Sequence, residues 1–148
     1  MSGSFRVASD LVAVFEKGLE MEDSGDGEVK ITGAGVFLLN CGDRKPLIVE
    51  ISKNTVLRRD KVLFTTVGVA TELLDIPGNE KLHVVKSDVN ESAVFRTDRP
   101  VRIILLGGSR EFLVRESSIM ATDPGIVLSR GNEGYLEVNG SGKVYLIE

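Results

Sequence analysis

Few residues in this chain are of a type and spacing that could do chemistry. The tightest group is Arg58-Arg59-Asp60-Lys61, with Arg115 further along. Several cationic side chains in one turn are what a phosphate backbone or an acidic partner would meet. Arg58, Arg59, Lys61 and Arg115 are therefore the candidate phosphate or partner surface. A solvated charged turn explains the same residues more simply, because phosphate contact normally comes with positive net charge and this chain carries −4.

Catalysis has less to draw on. The single histidine, His83, lies in Lys81-Leu82-His83-Val84-Val85-Lys86, where alternation puts it on one face of a strand. A zinc or iron site built on histidine needs two or three ligands at close range. One His and one Cys do not supply them, so no metal and no cofactor is expected. No G-x-S-x-G elbow offers His83 a nucleophile. Cys41, between Asn40 and Gly42, has no histidine nearby in sequence to activate it and reads as a turn cysteine. Gly107-Gly108-Ser109-Arg110 lacks the Lys-Ser/Thr and the helix of a phosphate-binding loop, so it reads as a hairpin turn. Ser117-Ser118 has hydroxyls without a base, and Glu133 and Glu137 do not form a carboxylate pair on strand-and-turn backbone. The sequence predicts a protein that is not an enzyme.

The elements that must position these residues are short strands. The 148 residues make about one domain, 42% hydrophobic and 27% charged. That composition supports a globular core, and no apolar run is long enough to span a membrane. A lone cysteine and no visible signal peptide point to the reducing cytoplasm. Residues 1–30 hold seven acids and three bases, and the remaining residues hold 15 of each sign. The body is thus neutral behind an acidic N-terminal segment, which disfavours a general nucleic-acid binder. Runs such as Leu47–Ser52, Leu82–Lys86, Val101–Leu106 and Val144–Ile147 are four to six residues long and bounded by Gly, Pro, Asp, Asn or Ser. Val29–Thr32 and Val36–Asn40 flank Gly33-Ala34-Gly35, which suits a hairpin. Ser9–Leu19 reads as strand through Val12 and Val14, with a helix as the alternative. Short strands at about ten-residue spacing predict an all-β sandwich or barrel.

The chain also echoes itself. Leu57, Arg59, Asp60, Leu63 and Thr66 recur 56 positions on as Leu113, Arg115, Glu116, Ile119 and Thr122. Val36-Phe37 returns as Val94-Phe95 and Val144-Tyr145, and Gly33-Ala34-Gly35 as Gly140-Ser141-Gly142. These echoes predict one domain with an internal duplication, its halves at about 31–90 and 91–148.

Ile31-Thr32-Gly33-Ala34-Gly35-Val36-Phe37-Leu38-Leu39, Leu47–Ile51, Arg110–Ile126 and Gly140–Leu146 together resemble the mitochondrial-biogenesis family named for altered inheritance of mitochondria. The resemblance covers about residues 28–148. It implies a double-stranded β-helix sandwich, grouped structurally with the trp RNA-binding attenuation protein, and it carries over no catalytic residue.

Three functions follow as expectations. The first is a self-associating scaffold or protein-interaction module, since the open edges of a small sandwich must be paired or protected. Lys45-Pro46 and Arg99-Pro100 at strand starts could instead blunt those edges and leave a monomer. The second is an RNA-binding ring, implied by the structural kinship and less favoured, with Phe64 and Phe112 reading as core rather than as stacking platforms. The third is a small-molecule site inside the sandwich. No membrane span is expected.

Overall fold

Short alternating apolar runs broken by turn residues leave no room for a long helix, and the computed structural model is antiparallel β throughout. It describes all residues except 1, 10, 11, 26, 35, 36, 40–44, 67, 68, 98, 109, 110 and 148. Cys41 therefore lies outside the described residues.

The strands fall into three sets. The first is β1 (Ser2–Ala8), β2 (Val12–Phe15), β3 (Glu20–Gly25), β4 (Glu28–Ala34) and β5 (Phe37–Leu39). The second is β6 (Lys45–Ser52), β7 (Val56–Arg58), β8 (Val62–Thr66), β9 (Thr71–Leu73), β10 (Leu82–Val85) and β11 (Asn90–Thr97). The third is β12 (Val101–Leu106), β13 (Phe112–Arg115), β14 (Ile119–Thr122), β15 (Ile126–Arg130), β16 (Tyr135–Gly140) and β17 (Gly142–Ile147). They build a first sheet in the order β3-β4-β1-β8-β11-β6 and a second in the order β12-β17-β14-β7-β10-β9. A three-stranded sheet, β13-β16-β15, and a two-stranded one, β2-β5, complete the described strands.

The pairings repeat three times. β1, β7 and β13 pair with β4, β10 and β16, which pair in turn with β3, β9 and β15. β2, β8 and β14 pair with β5, β11 and β17. Two local details make the copies match residue by residue. Each of β2, β8 and β14 has one register shift against its partner, at Val12/Val14, Val62/Phe64 and Ile119/Ala121. At each corner after the leading strand, one backbone amide donates to a carbonyl near the start of the paired strand: Ser9 to Gly27 at 2.8 Å, Arg59 to Lys81 at 2.9 Å and Glu116 to Gly134 at 3.0 Å. Arg59–Lys61 and Glu116–Ser118 are 3-10 turns at these corners.

This recurrence revises the sequence-based repeat. The units number three, not two halves at 31–90 and 91–148, and the acidic segment 1–30 supplies strands of the first. The second and third corners are 57 positions apart, so Arg58 corresponds to Arg115 and Leu57 to Val114. The 56-residue echo slips by one, and a one-residue slip sends a strand side chain to the opposite face. Two expected hairpins are also absent. β4 and β5 lie in different sheets, as do β12 and β13. Gly33 and Gly140 are instead places where a unit crosses between sheets, at φ of +126° and +100°. A Cβ on Gly140 would sit 2.2 Å from the Gly125 carbonyl oxygen, so only glycine fits. The Ser9–Leu19 ambiguity resolves to strand at Val12–Phe15.

Each unit divides between two sheets, and the cores lie between them. In the second unit Val49, Ile51 and Phe95 of the first sheet pack with Leu57 and Val85 of the second. On the other face of the second sheet, Val56, Leu82 and Ile119 pack with Leu136 of the three-stranded sheet. Val7, Leu19, Val29 and Ile31 form the core of the first unit. Adjoining units are joined by strand pairing, β1 with β8 and β7 with β14. The molecule is an all-β sandwich.

Candidate functional site

The corner after β7 carries Arg58, Arg59 and Lys61, and it does not gather them into one phosphate-facing surface. Arg58 is 7% exposed. Its Nε donates to the Ile119 carbonyl oxygen at 2.7 Å and its guanidinium also donates to the Glu116 carbonyl. It thus clamps the corner of the third unit onto β7. Burial pushes this guanidinium below its usual range, and the nearby Asp60 and Glu116 pull it back up. The next side chain, Arg59, pairs with Glu28 of β4 at 2.9 Å, across the other junction. Lys61 is partly buried. Arg115, on β13, donates to the Tyr135 hydroxyl at 3.1 Å and lies 5.4 Å from the centre of that ring.

Two cavities border Arg58. The larger, about 410 Å³, opens between the corner of the third unit and the turn before β10, and it contains Lys81, Arg115 and Tyr135. Its three cations are matched by Glu80, Glu116 and Glu133. The smaller, about 220 Å³, is lined by Arg58, Lys61, Lys81 and Arg99 with Asp60 as the lone acid. Lys81 reaches Asp60 only loosely, at 3.8 Å. The structure therefore brings Arg58 to Lys61 in one cavity and to Arg115 in the other, and it turns Arg59 away to Glu28. Within the sandwich, the void between Leu57, Val62 and Ala93 is about 10 Å³, room for one water.

His83 stands opposite Leu57 and Leu73 on the neighbouring strands, with its Nδ1 3.3 Å from the Thr71 hydroxyl. Its pKa is lowered, chiefly by burial and then by Arg59. Among the described residues, no three His, Cys, Asp or Glu side chains are grouped to hold a metal ion, and no helix is long and apolar enough to cross a membrane.

The surface that the sequence reading missed is apolar. β12 is the edge strand of the second sheet, and on it Ile103 is 54% and Leu105 75% exposed. The signal was present in Val101-Arg102-Ile103-Ile104-Leu105-Leu106, which apart from Arg102 is apolar on both alternating faces where the core needs only one. Phe112, expected in the core, is 41% exposed instead.

Fold and surface together define an all-β sandwich module in which Arg58, Arg59 and Arg115 are committed to its own structure. No protein-family model matches the chain, and no curated protein matches it. Among solved structures it is similar to protein SPYM3_0169 from Streptococcus pyogenes, determined by crystallography in a structural-genomics programme. The TM-score is 0.75 at 12% identity, over 99% of this chain and 84% of that one, a likeness that shows the fold.

Proposed function

We propose that this chain is a non-enzymatic assembly module that joins to a second copy of itself through β12. The observation that carries this reading is the contrast between two equivalent edge strands. β6 and β12 hold the same place in their units, each pairing on one side only among the described residues. β6 has Pro46 inside it and Glu50 on its exposed face, two features that discourage a further strand. Pro100 falls just before β12, and the strand itself holds no proline and one charged residue, Arg102, near its start. β12 lies at the end of its sheet with Ile103 and Leu105 exposed on it, an apolar edge that another β12 can bury by antiparallel pairing. A cytoplasmic location and the resemblance to the altered-inheritance-of-mitochondria family belong to the same proposal.

A second reading rests on the smaller cavity. Four cations around one acid form a place for a phosphate group, as RNA binding would require.

Light scattering in line with size exclusion tests both. Wild-type protein is expected to elute at a multiple of 16.0 kDa, and Leu105→Lys to elute as the monomer. A wild-type monomer overturns the assembly reading. With no Trp and two Tyr, the protein absorbs faintly, so bound RNA would be plain at about 260 nm. Absorbance there, lost in Lys61→Glu, would favour the second reading.

A further inference from the structure

Two junctions between units obey one rule. The leading strand of a unit pairs with the strand after the corner in the next: β1 with β8, then β7 with β14. Applied once more, the rule sets β13 beside β2. Among the described residues β13 pairs only with β16 and β2 only with β5. We propose that the free edge of β13 is a docking site whose occupant is the chain's own β2, so that the three units close into a ring.

The closed junctions show what the open one lacks. On β7, Val56, Leu57 and Arg58 are all buried, whereas on β13 Leu113 is 51% exposed. Arg58 spends its guanidinium on the carbonyls of Glu116 and Ile119 in the following unit. Arg115 holds the matching place on β13, and the matching carbonyls belong to Ser9 and Val12. Among the described residues Arg115 donates to the Tyr135 hydroxyl of its own unit. β2 is suited to the vacancy because it bears the same register shift as β8 and β14. The known pairs Leu57–Ala121 and Val56–Thr122 translate to Val114 opposite Val14 and Leu113 opposite Phe15. A tethered strand also competes at a far higher effective concentration than one from another molecule, which favours the chain's own β2 over a second copy's.

Cysteine cross-linking in a Cys41→Ser background tests the register. Arg6→Cys with Thr65→Cys is the reference pair, since those residues stand opposite each other across β1 and β8. Under the same mild oxidation, Phe15→Cys with Leu113→Cys, the pair at the matching register, is expected to form an intrachain disulfide to within about twofold of the reference. Cross-links between chains, or none where the reference closes, would overturn the proposal. Amide exchange on the unsubstituted protein guards against a variant that does not fold. The amides of β13 that point away from β16 are expected to exchange about a hundredfold or more slowly than unstructured ones, and exchange at the unstructured rate would equally overturn it.

Discussion

β7 and β13 are nearly the same strand in two surroundings. One ends Val56-Leu57-Arg58 and the other Leu113-Val114-Arg115, and both precede a 3-10 corner. Yet β7 is buried along its length while β13 is mostly exposed. Composition cannot be the cause. β7 has β10 on one side and β14 on the other, and a further sheet over its second face. β13 has β16 alone. Burial of a strand is set by the neighbours that the topology brings to it, and the arginine that ends each strand reports which neighbours are there.

The largest effect separating the two strands should come from those arginines. Arg58→Ala removes two hydrogen bonds from a buried guanidinium and strips buried carbonyl groups of their partner, for a loss of about 2–4 kcal/mol in denaturant unfolding. Arg115→Ala on an open edge would cost under about 0.5 kcal/mol, the level of an ordinary surface substitution. With β2 docked and the carbonyls of Ser9 and Val12 within its reach, the expected cost is about 1–2 kcal/mol. A value at the surface level would keep the two strands different and leave the ring open.

A smaller effect compares the apolar residues one turn of the pleat earlier. Val56→Ala should cost about 2 kcal/mol, as expected of a residue 5% exposed in a packed core. Leu113→Ala, judged by its present exposure alone, should cost under about 1 kcal/mol. Once β2 lies beside it the cost should rise to about 1.5 kcal/mol or more. Thermal unfolding of the two variants side by side would resolve the difference.

How far these contrasts could be read from the sequence depends on their range. Local alternation in Leu47–Ser52 and Val101–Leu106 suffices to locate strands, because a strand's period is a property of neighbouring residues. Pairing is long-range, so Gly33-Ala34-Gly35 looks like a hairpin turn although its flanking strands go to separate sheets. β1 and β3 escaped notice for a related reason. Glu20-Met21-Glu22-Asp23 carries acids at a sheet edge facing water, which reads as a charged tail. The basic cluster was visible as residue types, but not its partners. Arg58 finds its carbonyls in the next unit and Arg59 finds Glu28 in the previous one. The one-residue slip in the repeat then hid that Arg58 and Arg115 are the matching pair.

The smallest effect concerns acid. His83 stands opposite Leu57 of β7, whereas Leu136 stands opposite Val114 of β13, so of the two strands only the buried one faces an imidazole. Burial lowers the His83 pKa in the folded protein, and Arg59 adds to this. The folded state therefore favours neutral imidazole, and the unfolded chain binds more protons as the pH falls. The stabilising contribution is complete above the unfolded value of about 6.5 and declines as the pH drops through it towards the lowered folded value. Stability should thus fall more steeply between about pH 7 and pH 5 in the wild type than in His83→Gln, which cancels the carboxylate titrations common to both. Amide exchange at the two pH values would place the loss on β7 and β10, with β13 and β16 unaffected. Equal slopes in the two proteins would mean that His83 gains no proton on unfolding, and the acid response would then not distinguish the two strands.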